Sequence, residues 1–388
     1  MGTLSSVNRS IAYFALYAAL YGAFGVASPY WPKFLETRDL SAPQIALIFG
    51  AALLIRLISG PLVGALADLL TAPRVALASC AGLAAGAALS LLGAHTFWPL
   101  LILVLVQAAA LAPTTSIADA LSVNRANPPI AGARFEYGWI RGAGSAAFAL
   151  GTLIMGQLVT PRDLTPVVWL NAALLLVAVG ATAFLPRPAM RLEPRTRRSP
   201  RMIELRRLLD IARFRTLILV AAMVFGSHAM NDTFAVIRWS DAGIGASTIS
   251  FLWSEAVAAE VIVFILIGPM LLDRLGERRA ATLAVTAAIT RWAVEGVTNS
   301  VLALSILQPL HGLTFALLHL ACMRMMGVSV PRNIAATAQS VYGFASGLVT
   351  AGVTLCSGLL YARYGGAAFV PMAALCAVAL PFAWFGLR

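Results

Sequence analysis

Charge is scarce in this 388-residue sequence: Asp, Glu, Lys and Arg make up 11% of it, against about 25% in a soluble domain. That excludes a chain whose whole surface faces water. Lysine is almost missing, Lys33 being the only one, so the basic residues are essentially all arginine. Cysteine is scarce too. Cys80, Cys322, Cys356 and Cys376 each lie inside an apolar stretch, without the spacing of a metal site or a disulfide framework. No HExxH-type pair occurs, and no hydroxyl stands beside an evident base in a nucleophile motif. Neither an enzyme nor a bound metal or cofactor is expected, protons apart.

What is abundant is apolar. Hydrophobic residues make up 60% of the chain and the mean hydropathy is +0.84. One soluble core of this length would not hide so much apolar surface, so lipid is the expected solvent. A membrane-spanning helix needs roughly 20 apolar residues. Twelve candidate spans follow: 11–32, 43–66, 74–94, 97–121, 137–158, 165–185, 214–238, 247–271, 280–298, 301–325, 336–361 and 367–386. The first stretch runs on to Pro29-Tyr30-Trp31-Pro32 without a small-residue cleavage site, and reads as a retained span. Short connections leave little room for a soluble catalytic module. The expected fold is all-α, with two pseudo-symmetric six-helix bundles.

The net charge of +12 does not read as a nucleic-acid footprint, because the arginines gather in short segments between apolar stretches. The segment 186–213 holds Arg187, Arg191, Arg195, Arg197, Arg198, Arg201, Arg206, Arg207 and Arg213 against three acids. The positive-inside rule places it, and both termini, in the cytoplasm of a cell whose inner membrane holds the chain. Residues 201–213 are either an amphipathic helix on the inner leaflet or a plain linker carrying topology charges. The expected division is therefore 1–186, a linker over 187–213, and 214–388. The chain is expected to act as a monomer in the bilayer, on a small-molecule substrate.

The halves echo each other. Gly64-Ala-Leu-Ala-Asp68 closes the second span, and Gly268-Pro-Met-Leu-Leu-Asp273 closes the eighth, about 205 residues later. Tyr137-Gly138 opens the fifth span, and Tyr342-Gly343 lies early in the eleventh. Both spans are then rich in small residues, which let helix backbones approach closely in lipid. Repeated halves with a site at midplane are the architecture of secondary transporters.

Ionisable residues inside spans cost roughly 2.5–3.5 kcal/mol on insertion scales and are functional candidates by default. At 1.5 Å per residue, Glu260, Arg291 and His311 lie about 20, 16 and 15 Å from their span ends, at a shared depth. Desolvation favours a neutral acid, whereas a neighbouring arginine favours the carboxylate. A glutamate between those influences suits proton coupling, with His311 and Arg291 as partners; a fixed Glu–Arg pair setting helix register is the alternative. Arg291 and Glu295, four apart, are expected to be able to pair within one helix. Arg56 is a lone charge deep in span two, available to an anionic substrate group or to Asp119. His228 and Asp232 share a face of span seven. Glu255 lies five residues from Glu260, about 140° round the helix, and reads as a pore-mouth residue. Tyr21, Phe24 and Trp253 are candidate substrate contacts, and Tyr17 and Phe234 further cavity aromatics. Tyr30, Trp31 and Trp98 read as interfacial anchors. Asp68, Arg141, Asp273, Arg274 and Arg324 are candidates for a cytoplasmic gate, with Glu136 beside Arg141. His319 reads as structural.

The run Asp273-Arg274-x-Gly276-x-Arg278-Arg279 resembles the cytoplasmic loop signature of the major facilitator superfamily. Over nearly the whole chain the sequence resembles the phenylpropionate permease branch, proton symporters distantly related to lactose permease. The likeness is carried by Pro29-Tyr30-Trp31-Pro32, Asp119-Ala120, Tyr137-Gly138-x-x-Arg141-x-x-Gly144-Ser145, Leu252-Trp253-Ser254 with Glu260, and Arg291-Trp292. It is carried furthest by Leu310-His311-Gly312-x-Thr314-Phe315-x-x-x-His319-Leu320-Ala321-x-x-Arg324. The resemblance implies proton-coupled uptake of a small aromatic or carboxylated solute by alternating access. Asp232 and Glu255 depart from that pattern, which has non-ionisable residues there. They suit the alternative of a proton antiporter exporting a cationic or amphipathic compound. The Gly-Pro pair of drug antiporters is missing from span five, which favours import. A non-transporting membrane sensor or intramembrane enzyme is the distant third reading.

Overall fold

The computed structural model describes residues 2–126, 137–185 and 202–387. Most of the Arg-rich connection and Glu136 lie outside the described residues, and so does the side chain of Asp68. Among the described residues the chain is helical throughout. In order the helices are α1 (Gly2–Ala27), α2 (Trp31–Glu36), α3 (Ala42–Leu69), α4 (Pro73–Ser90), α5 (Phe97–Leu111), α6 (Thr114–Ala126), α7 (Tyr137–Leu158) and α8 (Thr165–Phe184). There follow α9 (Met202–Asp210), α10 (Ala212–Asp241), α11 (Ala246–Ile262), α12 (Gly268–Glu295), α13 (Val301–Leu307), α14 (Leu318–Ser329), α15 (Ala335–Tyr364) and α16 (Val370–Pro381).

Eight apolar stretches among these residues are long enough to cross a membrane. Two of them, Ala246–Glu295 and Ala335–Gly386, run to 50 and 52 residues. Each contains a glycine with positive φ, Gly276 at 71° and Gly365 at 54°, a conformation that costs glycine no steric penalty. Each long stretch therefore reverses and makes two passes. With α7 and the apolar part of α1, Ile11–Ala27, twelve passes result. The fourth is broken between α5 and α6 at Pro113, which supplies no N–H. The short helix α9 realises the amphipathic segment: Leu208 is buried while Arg206 and Arg207 are exposed.

The chain divides into two compact units, Met1–Leu40 with Leu54–Thr196, and Ser41–Leu53 with Arg197–Arg388. The start of α3 thus groups with the second unit, unlike the expected division at 186. The reason is small residues. A side chain at Gly358 on α15 would lie 2.5 Å from Ala46, and one at Gly50 would lie 2.5 Å from Leu355.

In the first unit α1 packs against α7 and α8. A Cβ at Gly151 would stand 2.7 Å from the carbonyl of Gly22, and Thr152 donates to the carbonyl of Gly25 at 2.8 Å. Those contacts place Tyr17 and Tyr21 of α1 beside α7. A buried polar chain stiffens the same unit: the Trp31 indole donates to Gln107 at 3.2 Å, Gln107 to Asn171 at 3.1 Å, and Asn171 to the carbonyl of Ala23 at 2.9 Å. Trp31 is therefore an internal hydrogen-bonding residue rather than the expected interfacial anchor, and Tyr30 is buried core. Trp98 alone of the three is surface-exposed, at 68%.

The repeat is visible at the helix ends. Arg74, opening α4, donates to the carbonyls of Thr182 at 3.1 Å and Ala183 at 2.8 Å, at the end of α8. In the second unit Arg278, just after the Gly276 turn, lies over the Trp384 ring at 4.7 Å, past the end of α16. In both units a basic side chain opening one span meets the C-terminal end of another, through unpaired helix carbonyls in the first unit and an aromatic ring in the second.

Candidate functional site

The densest group of ionisable side chains is in the second unit. Glu260 lies near the end of α11 and His311 between α13 and α14, and each is followed by a π-helical turn, Val263–Ile267 and Gly312–Leu317. Such turns widen a helix locally and gather at functional sites. The two segments approach closely because residue 312 is glycine. A Cβ there would lie 2.6 Å from the carbonyl oxygen of Ala259 and 2.7 Å from Val263.

That approach sets His311 Nε2 3.4 Å from Glu260 Oε2. On the other side of the ring, Nδ1 lies 2.9 Å from a guanidinium nitrogen of Arg291, and Arg291 also donates to Gln308 at 3.2 Å. A guanidinium only donates, so Nδ1 accepts, and the neutral imidazole carries its proton on Nε2 toward Glu260. The expected intrahelical pair of Arg291 with Glu295 does not form. Arg291 is turned to His311 and Gln308, and neither carboxylate oxygen of Glu295 has a hydrogen-bond partner among the described residues.

His228 stands edge-on to both His311 and Trp292, with ring centroids 5.1 Å apart in each case. The Trp292 indole is anchored by Ser227 at 2.7 Å. Phe315, partly exposed, stacks on His311 with centroids 5.7 Å apart and planes 6° apart, and Phe225 and Phe264 flank it. Phe225 and Phe264 were not singled out from sequence, because an apolar ring in an apolar span carries no distinguishing signal; Phe315 entered there only as part of the family motif. Between Gly226 and Trp239 every residue of α10 is buried except Asp232. Among the described residues the neighbouring Asn231 amide donates to it at 3.3 Å. Glu255, by contrast, is held by the Ser305 hydroxyl at 2.8 and 3.1 Å. Phe234, an expected cavity aromatic, is instead buried against Tyr361 in a 4.5 Å stack. Trp253 is half-buried on α11. His319 bonds the Tyr342 hydroxyl at 3.2 Å.

A second cluster lies in the first unit. The Tyr17 hydroxyl donates to Asp119 at 2.5 Å, and Arg141 approaches the same carboxylate at 3.9 Å. Arg141 also lies over the Tyr21 ring at 4.9 Å, and Tyr21 stacks on Tyr17 and meets Phe24 edge-on. Arg141, expected beside a gate, is thus joined to the candidate substrate contacts Asp119 and Tyr21. Asp119 is accordingly not the partner of Arg56. Arg56 is exposed and has no ion pair or hydrogen bond among the described residues. It lies on the face of α3 that carries Gly60 and Ala67, opposite the exposed Ile58 and Leu62.

Of the gate candidates, Asp273 and Arg324 meet at 2.7 Å, and Arg324 also pairs with Glu277 at 3.1 Å. Glu277 was not anticipated: it stands at a variable position of the loop motif. Arg274 is exposed and has no ion pair among the described residues. No group of three or more potential metal ligands occurs among the described residues.

A model of the MFS_1-like family matches residues 7–371. The chain belongs to that family. It is a multi-pass membrane transporter of the major facilitator type, not an enzyme. This transporter is 31% identical over 388 residues to the probable 3-phenylpropionic acid transporter of Escherichia coli K12, covering 97% of each chain. It is 23% identical over 336 residues to the uncharacterized transporter YwbF of Bacillus subtilis, covering 84% of this chain and 82% of that one. Among solved structures, the nucleoside transporter NupG superposes with a TM-score of 0.82 at 16% identity, covering 100% of this chain and 98% of that one. The D-xylose-proton symporter does so with a TM-score of 0.68 at 14% identity, covering 98% of both. At those identities the structural likeness concerns the fold alone.

Proposed function

We propose that the transporter carries out proton-coupled uptake of a small aromatic or carboxylated solute by alternating access. It would do so as a monomer in the inner membrane, with both termini cytoplasmic. One observation carries the proton coupling: Glu260, His311 and Arg291 form a continuous contact chain inside one unit. An acid, a base and a cation in series can take a proton and release it. Substrate class is supported by the relative named for 3-phenylpropionic acid, by the aromatic rings of Phe225, Phe264 and Phe315, and by Arg56. Arg56 is the cation available to a substrate carboxylate, and Tyr21 and Phe24 are further rings of the first unit.

The test is uptake of 3-phenylpropionate by the purified protein in vesicles. Alkalinisation of the outside medium at the onset of uptake is expected; acidification accompanying import would sink the symport reading. The Glu260→Gln variant is expected to lose accumulation and keep substrate exchange. If it still concentrates substrate against a gradient, Glu260 is not the coupling group.

A second reading is proton-driven export of a cationic or amphipathic compound. The observation favouring it is Asp232, the lone exposed residue in a buried stretch of α10. An outward proton-gradient-dependent flux of an organic cation, lost in Asp232→Asn, would establish it over uptake.

A further inference from the structure

Glu295 is the most deeply enclosed acid among the described side chains, with a relative exposure of 0%. It ends α12, one helical turn beyond Arg291 and on the same face. Both its carboxylate oxygens lack a hydrogen-bond partner among the described residues, and so does Nε of Arg291. The charged groups acting on it are Arg291 from its own helix and Arg238 and Asp232 from α10, with Tyr361 of α15 beside Arg238. The Arg238 guanidinium is spent elsewhere: it donates to the backbone carbonyls of Glu295 and of Thr298. Two acceptors and a donor thus lie unused on one buried helix face. An ionised carboxylate left in this way is strongly disfavoured.

We infer that Glu295 is a second proton-holding carboxyl, and that Arg291 alternates between His311 and Glu295 as the proton moves. The inference rests on the proton-coupled reading above. In the first of the two arrangements this inference requires, Arg291 is charged, Glu260 is a carboxylate, His311 is neutral and Glu295 holds a proton, so the four groups sum to zero. A proton bound at Nδ1 of His311 turns that nitrogen from acceptor to donor, and its bond from Arg291 is lost. Arg291 then turns one helical turn along to Glu295, whose O–H bond breaks and whose proton leaves to water past the exposed Val297, Asn299 and Ser300. The four groups again sum to zero, with Arg291 and His311 positive and Glu260 and Glu295 negative. The N–H bond at His311 forms as an O–H bond of an arriving hydronium breaks, and the O–H bond of Glu295 breaks as a water takes up its proton, so bonds and charge balance. Both arrangements avoid an uncompensated buried charge, which is why Arg291 can act as the exchanging partner.

Infrared titration of the purified full-length protein in lipid vesicles reads the Glu295 proton without any substrate. A protonated-carboxyl band at neutral pH is expected in the wild type and is expected to be lost in Glu295→Gln. In His311→Ala, where Arg291 has lost its imidazole acceptor, the band is expected to titrate away at lower pH. A full wild-type band in Glu295→Gln, or an unshifted titration in His311→Ala, would overturn the inference. Should Glu295→Gln fail to fold, the His311→Ala comparison decides it alone, since it leaves Glu295 in place. If the infrared shift is seen but vesicle uptake moves no protons, the symport reading falls and the Arg291 exchange stands.

Discussion

His311 and Glu260 meet at 3.4 Å because the residue after the histidine has no side chain. Gly312 lets its segment touch the backbone of α11 at Ala259, where any Cβ would collide with a carbonyl oxygen. Gly312→Ala is therefore expected to push the two segments apart and lengthen that contact. Overpacking of this kind costs about 1–3 kcal/mol, so a lowered Tm in detergent is expected together with lost accumulation of substrate. Normal accumulation with a lowered Tm would show that the close approach serves packing alone.

The Tyr17 hydroxyl bonds Asp119 at 2.5 Å within the first unit. Tyr17 is fully buried, and a hydrogen bond to a charged group is worth about 1.5–3 kcal/mol. Tyr17→Phe is expected to lower Tm by the equivalent amount. It also leaves Asp119 with Arg141 as its ionic partner, which alters the orientation of Arg141 over Tyr21. A weakened affinity for 3-phenylpropionate in Tyr17→Phe, measured by calorimetry, would tie this cluster to the substrate; unchanged affinity would assign it to packing.

Arg238 is buried at the end of α10, satisfying carbonyls of Glu295 and Thr298 while lying over the Phe369 ring at 5.4 Å. A Cβ at Gly366 would lie 2.6 Å from its guanidinium. Arg238→Met keeps much of the volume and removes every donor. Unsatisfied buried carbonyls cost about 1–3 kcal/mol each, so a large loss of thermal stability is expected. A near wild-type Tm would show that these carbonyls find other partners.

Asp163 accepts from the Thr165 backbone N–H at 2.8 Å and from its hydroxyl at 2.7 Å, tethering the start of α8 outside the membrane-spanning segment. These two bonds hold its carboxyl below the usual carboxylate range, side-chain bond first. Because the folded value lies below the unfolded one, the contribution to stability is present above the ordinary range and is lost as pH falls through the lowered value. The side chain is almost wholly exposed, so solvent screening keeps the effect small. Asp163→Asn is expected to flatten the acid limb of a Tm-against-pH curve slightly; an unchanged acid limb would remove Asp163 from the tether.

Much of the site was legible as a list of residues and little of it as a geometry. Glu260, Arg291 and His311 stood out because an ionisable group in a span is rare and costly. Helix rise alone put them at one depth. Which partner Arg291 takes was not legible: Glu295 lies on its own helix, and the choice of His311 and Gln308 depends on how α12 packs on the next span. The π-helical turns after Glu260 and His311 have no composition signature that separates them from ordinary helix. Trp31 was misplaced because an interfacial aromatic and an internal donor look alike until Gln107 and Asn171 are seen beside it. The Gly276 turn was readable, since the loop motif demands a sharp reversal and glycine reaches positive φ at little cost.

Hydrophobicity and arginine placement, properties of the chain by itself, determined that this is a twelve-pass membrane protein, because unpaired backbone and charge are too costly in lipid to allow much else. The paired Asp68 and Asp273 loops and the family likeness determined two repeated halves. Tertiary structure alone decided which buried charges meet. It did so through small residues such as Gly312, whose missing side chain sets the distance between two helices and with it the contact of His311 with Glu260. Helix separation is a sum over packed surfaces, and no local pattern in the chain encodes it.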